Sequence, residues 1–103
     1  MYGLIGKIVV APGKRDELAA ILLPDLQGMP GCLSYIVAAD PLDENGLWVT
    51  EVWADQASHR ASLSLPTVQA AIAKGRPLIV GFETRIETIP LGGHGLPAGH
   101  LHD

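Results

Sequence analysis

The chain opens on a run that is apolar on both sides of an extended backbone. In Tyr2 to Val10, Leu4 and Ile8 fall on one side and Ile5 and Val9 on the other, which predicts a first strand buried on two faces. Pro12-Gly13 ends it. From Lys14 to about Leu26 the apolar residues Leu18, Ile21, Leu22 and Leu26 take the three- and four-residue spacing of an amphipathic helix, with Pro24 placed to kink or end it. After a loop at Gly28-Met29-Pro30-Gly31, Cys32 to Ala39 reads as a second strand, with Leu33, Tyr35 and Val37 on one face and Ser34, Ile36 and Ala38 on the other. Residues Asp40 to Gly46 are turn-forming, and the Asn45-Gly46 pair is a hairpin signal, so Leu47 to Trp53 is the antiparallel third strand. Asp55 is placed to cap a helix from Gln56 to Leu65. Pro66-Thr67 breaks or restarts that helix, Val68 to Lys74 continues it, and Gly75 and Pro77 end it. Phe82 to Pro90 is the last strand, with Phe82, Thr84, Ile86 and Thr88 alternating against Glu83, Arg85, Glu87 and Ile89.

The order is β-α-β-β-α-β, the ferredoxin-like arrangement of the α+β class: a four-stranded antiparallel sheet with helices on one face. Residues 1–92 form one domain. The Gly- and His-rich segment 93–103 is expected to be a mobile tail unless a partner orders it. Two helices cover one face of a sheet, so the apolar second face of the first strands needs its own cover. A second copy of the same sheet in a two-fold homodimer is the simplest one.

With 103 residues, 48% hydrophobic and 17% charged, the composition is that of a globular chain rather than a disordered one. A net charge of −4 offers no basic face to a nucleic acid, which disfavours DNA and RNA as partners. The apolar runs are far short of the roughly 20 residues that span a bilayer, so no membrane is expected. Met1 leads straight into the first strand with no signal-like segment, and a cytoplasmic location is expected. Cys32 is alone, so no internal disulfide forms. With nothing basic close in sequence, it reads as a strand residue rather than a reactive thiol.

Met29-Pro30-Gly31-Cys32-Leu33-Ser34-Tyr35, then Asp40-Pro41, then Glu51-Val52-Trp53, followed by a helix with Ala57-Ser58-His59 and Leu65-Pro66-Thr67-Val68-Gln69, resembles the antibiotic biosynthesis monooxygenase domain, the group that includes the quinol monooxygenases. The resemblance runs from about Leu4 to Gly92. It implies a dimeric α+β barrel of two ferredoxin-like protomers packed sheet to sheet. It also implies oxidation of a quinol or an electron-rich polycyclic phenol by molecular oxygen with no cofactor, neither metal nor flavin, because the substrate supplies the electrons.

Such chemistry needs a base for the phenolic proton, an apolar pocket for the ring and oxygen, and polar donors for the developing negative charge. His59 is the candidate base, since imidazole titrates near neutrality, and Leu63 four residues on marks its helix face as inward. Glu51 and Trp53 leave the same face of the third strand. Glu51 is a second candidate base, or else the partner of Arg85 in a cross-strand ion pair. Trp53 is a candidate aromatic wall, and Tyr35 can add a phenol hydroxyl to the same cavity. Arg85 completes the substrate-binding candidates. Trp48, an odd number of residues from Trp53, belongs to the opposite face, and Arg60 is expected in solvent. The tail residues His94, His100, His102 and Asp103 could bind a metal, but a flexible Gly-rich segment preorganises no site, so none is expected.

The strand tryptophan and helix histidine also resemble the haem-degrading monooxygenases of the same fold. Those carry an asparagine on the first strand, absent from Tyr2 to Val10, and a histidine at the place held here by Leu63. Haem degradation is therefore disfavoured. Two other readings stay open on this fold: a non-catalytic dimer that binds a small hydrophobic ligand, and a cofactor-free isomerase or cyclase using His59 or Glu51 to move a proton.

Overall fold

Strand β1 (Tyr2–Val10) is the spine of the domain, paired antiparallel on one side to β3 (Gly46–Trp53) and on the other to β4 (Ile79–Thr88). Strand β2 (Cys32–Ala39) closes the far edge beyond β3, which gives the sheet order β2-β3-β1-β4. The computed structural model describes residues 1–25 and 28–96. The expected four-stranded antiparallel sheet is present. Its helices are α1 (Arg15–Asp25), α2 (Gln56–Ser62) and α3 (Pro66–Gly75), with a 3-10 turn at Arg76–Leu78 leading into β4. Among the described residues no helix is long and apolar enough to cross a membrane.

Local chemistry sets the boundaries. Pro24 lies in the last turn of α1, and Leu26, expected as the end of that helix, is outside the described residues. Asp55 caps α2 as expected, its carboxylate accepting from the Ser58 backbone N–H at 2.7 Å. Pro66 starts α3 at its first turn, where the missing N–H has no partner to lose. The expected single broken helix is thus two separate helices.

The cross-strand register assigns every side chain to a face. Tyr2, Leu4, Ile8 and Val10 of β1 and Leu47, Val49, Glu51 and Trp53 of β3 point toward the helices. Two irregularities correct the alternation expected from sequence. A shift between Cys32 and Ser34 makes Leu33 the extra residue, so Cys32, not Leu33, lies opposite Trp53 and packs on the core. In β4 a shift places Phe82 opposite Ile8 and Thr84 opposite Lys7, leaving Glu83 as the extra residue. Phe82 therefore shares the helix-side face with Arg85 and Glu87, while Ile86 pairs with Ile5 on the other. The strand also begins at Ile79, three residues before the expected start.

The core is in two parts. Met29, Trp53, Val68 and Ala71 form one cluster, and Val10, Leu18 and Leu47 the other. Helix α1 lies over β2 and β3 and α2 over β3. The helix-side residues of β4, Phe82, Arg85 and Glu87, remain exposed.

On the opposite face, Ile36, Thr50, Ile5 and Ile86 form one row across all four strands. Beside it Lys7 holds three carboxylates, Asp40 at 3.4 Å, Asp43 at 3.1 Å and Glu83 at 3.0 Å, and the Trp48 indole donates to Asp40 at 2.9 Å. Trp48 is thus on the face opposite Trp53, as expected. This network fixes the β2–β3 turn, and with it the register that sets Glu51 and Trp53.

The backbone N–H of Leu42 and the Trp48 indole hold Asp40 below the usual carboxylate range, and the Asn45 N–H and Lys7 do the same for Asp43. Carboxyls depressed on folding stabilise the fold above their unfolded value of about 3.9, and that contribution is lost as pH falls through the folded value. Urea melts at stepped pH are expected to show stability dropping below about pH 4, with a shallower drop in Asp43→Asn. An identical acid limb in the variant would remove the turn network from the account.

Candidate active site

Between the sheet and the helices lies a cavity of about 600 Å³, within the range of small-molecule sites. Both core clusters contribute walls: Leu18 and Ile79 from one, Met29, Trp53, Val68 and Ala71 from the other. Its polar corner is built where β3 hands over to α2. Trp53 ends β3, is 1% exposed, and packs among Met29, Val68 and Ala71. A buried indole N–H needs an acceptor, and it finds one on its own strand: Trp53 Nε1 donates to Glu51 Oε1 at 3.0 Å. Residues two apart on a strand share a face, so the bond costs no bend in the sheet.

His59 comes to the same place from α2. Its Nε2 is 4.0 Å from Glu51 Oε1, close enough for an ion pair when the ring is protonated. Its ring packs edge-to-face with Trp53 at a centroid distance of 5.5 Å and against the tilted ring of Tyr2 at 5.5 Å. The Ser62 hydroxyl, buried, donates to the His59 carbonyl at 2.6 Å and ties the end of α2 to the turn that carries the imidazole. Gly31 allows this approach. It has φ +78°, its carbonyl accepts from Ala54 N–H at 2.8 Å, and a Cβ there would lie 2.5 Å from Ser58 Oγ. The loop before β2 thereby packs directly on the first turn of α2.

Tyr35 lies directly across from Glu51 on β2 and also lines the cavity. Burial first, and then the Glu51 carboxylate, push its ionisation well above the usual phenol value, so the hydroxyl stays protonated as a hydrogen-bond donor. Burial likewise pushes the Cys32 thiol up, which agrees with a packed strand residue rather than a nucleophile.

Of the residues singled out in the sequence, Glu51, Trp53, His59 and Tyr35 are brought together. Arg85 is not: it is exposed and lies 3.8 Å from Glu87. The cross-strand Glu51–Arg85 pair is therefore corrected. β1 stands between the two strands, and the nearer indole takes the carboxylate. Arg60 is exposed, as expected. Leu63 caps α2 and lines the cavity with His59. Of the tail histidines, His94 is exposed, whereas His100, His102 and Asp103 lie outside the described residues. Among the described residues no group of three or more His, Cys, Asp or Glu is placed to hold a metal ion.

Sequence reasoning missed Tyr2. It packs on His59, and its hydroxyl donates to Glu87 Oε2 at 2.6 Å. The available signal was its alternation with Leu4 on the first strand, which puts its ring on the helix side.

A sheet in the order β2-β3-β1-β4, with helices on one face and a cavity beneath them, defines a ferredoxin-like α+β domain. A family model for antibiotic biosynthesis monooxygenase matches residues 1–74, and the chain belongs to that family. A crystal structure from Chloroflexus aurantiacus J-10-fl assigned to the same family is 58% identical, covers 93% of this chain and 98% of its own, and superposes with a TM-score of 0.90. Structures from Bacteroides thetaiotaomicron VPI-5482 (20% identity, 90% of this chain and 91% of that one, TM-score 0.77) and Deinococcus radiodurans (21%, 90% and 95%, TM-score 0.75) share the fold. No match was found among curated proteins.

The placement of Glu51 against Tyr35 is open to titration. In Glu51→Gln, ultraviolet phenolate titration is expected to bring one tyrosine down toward its usual value while leaving it raised, since burial remains. An unchanged titration curve would contradict the contact.

Proposed function

We propose that this chain is a cofactor-independent monooxygenase that oxidises a quinol or an electron-rich polycyclic phenol with molecular oxygen. The observation that carries the reading is a largely apolar cavity whose polar corner joins a buried Trp53, a Glu51 carboxylate and the His59 imidazole. Family membership supports it.

The ring lies against Trp53 with its hydroxyl toward His59, whose Nε2 takes the phenolic proton. Glu51 Oε1, 4.0 Å away, is within ion-pair reach of the imidazolium that results. The phenolate is then rich enough in electrons to reduce oxygen, and a peroxide forms at a ring carbon. The O–O bond breaks: one oxygen stays as a new carbonyl, and the other leaves as water, taking the phenolic hydrogen and the ring C–H hydrogen. Two electrons go with the two hydrogens into water and two more go to the oxygen of the new carbonyl, which together reduce one molecule of oxygen, so no further reductant is required. The protonated Tyr35 hydroxyl is a donor for the negative charge that develops.

The working unit is a homodimer joined through the outer sheet face. The row Ile36, Thr50, Ile5 and Ile86 supports this, with Ile36 at 55% and Ile86 at 49% exposure in the single chain. Sedimentation is expected at twice the chain mass, and a monomer at working concentration would refute it.

Oxygen uptake with hydroquinols, anthrones and naphthols, measured with chelator present and corrected for autoxidation, tests the activity. Uptake is expected to saturate with substrate and scale with protein. His59→Ala is expected to lower kcat by about a hundredfold or more, the usual worth of a general base, with the assembly mass unchanged. An unchanged rate would remove His59 from the mechanism. Binding without any uptake would favour a ligand-binding module instead.

A further inference from the structure

The part-buried carboxylate and imidazole lie at one end of the cavity, and the other end runs out onto the surface. Glu51 is level with Leu4 of β1, whereas Phe82 is level with Ile8. Four residues of strand separate the two, about 13 Å at 3.3 Å per residue. Along that length the walls are aliphatic, with Leu18, Leu22, Ile72 and Ile79 among them. At the far end Phe82 and Val80, both 70% exposed, line the cavity and also face water. They sit on β4, the strand whose helix side is left exposed at Phe82, Arg85 and Glu87. A lining cation, Arg76, is itself exposed, and long basic side chains cover apolar surface with their stems while their heads stay hydrated.

A compact ring bound at Trp53 and His59 leaves this apolar exit empty and wet. A rigid fused-ring phenol fills the length of the cavity and then stops at its mouth. A flexible aliphatic chain both fills the channel and covers the rim. We propose that the ligand is an aromatic head bearing an aliphatic chain, with the head in the Trp53–Glu51–His59 corner and the chain leaving over Phe82 and Val80. The head position rests on the proposed function; the chain path rests on the exposed rim and its continuity with the cavity.

The test is calorimetric binding under nitrogen, so that no turnover is needed. The probes are a naphthohydroquinone without a chain, the same head with alkyl chains of increasing length, and a chain-free anthrone. Affinity is expected to rise about two- to fourfold per methylene, as partial to full burial of each predicts, until the chain passes the rim. In the double variant Phe82→Ser, Val80→Ser, each ligand is read against the chain-free head bound to that same variant, and the chain-length dependence is expected to flatten. Circular dichroism melting checks that the variant is folded.

Chain-length independence in the native protein overturns the proposal, as does a slope that survives in the variant. A chain-free anthrone that binds as tightly as the long-chain ligands and ignores the variant assigns the channel to fused rings. A change of assembly mass in the variant assigns the rim to a second copy of the chain. If the chain-free naphthohydroquinone itself fails to bind, it is the reading of the polar corner that falls, an outcome distinct from loss of the chain effect alone.

Discussion

The hydrogen bond from the Trp53 indole to Glu51 is the contact on which the site depends. Trp53 is among the largest fully buried side chains, and it closes one of the two core clusters. Its N–H lies where water does not reach, and leaving such a donor unpaired costs about 1–3 kcal/mol. The acceptor is a carboxylate two residues back on the same strand. One bond thus satisfies the core and holds a negative group at a cavity wall that is otherwise apolar. The His59 imidazole, between the Trp53 and Tyr2 rings, then meets that carboxylate at 4.0 Å.

The cavity follows from the sheet order. With β1 and β3 central, the helices lie over β2 and β3, and the helix side of β4 is left exposed at Phe82, Arg85 and Glu87. The core therefore divides, one cluster around Trp53 and the other around Leu18, with a channel between them that opens toward Phe82. The outer face has its own polar anchor in Lys7 and its three carboxylates, beside the apolar row of Ile36, Ile5 and Ile86. One face of the sheet is thus organised around a cavity and the other around a flat apolar surface.

Much of this was legible in the residues. The alternation in β1, the Asn45-Gly46 hairpin, the Asp55 cap and the Pro66 break each have a local cause, and each lies where the pattern put it. Glu51, Trp53 and His59 were readable as neighbours because a strand period and a helix start fix their directions. The errors come from features with no local signature. A bulge adds one residue and turns the following side chains to the other face, which is why Cys32 replaces Leu33 at the core and Phe82 parts from Ile86. Arg85 was assigned to Glu51 by charge, but which strands lie side by side and which donor is nearer are tertiary facts. Tyr2 was passed over because its partners, His59 and Glu87, are distant in sequence.

The central claim is that the corner formed by Glu51, Trp53 and His59 takes a proton from a bound phenol. It is tested most directly by the absorbance spectrum of a naphthol mixed with the protein under nitrogen, at a pH where the free compound is fully protonated. The account predicts that a phenolate band appears in proportion to bound ligand and disappears in His59→Ala. A ligand that binds with the spectrum of the neutral naphthol would contradict it.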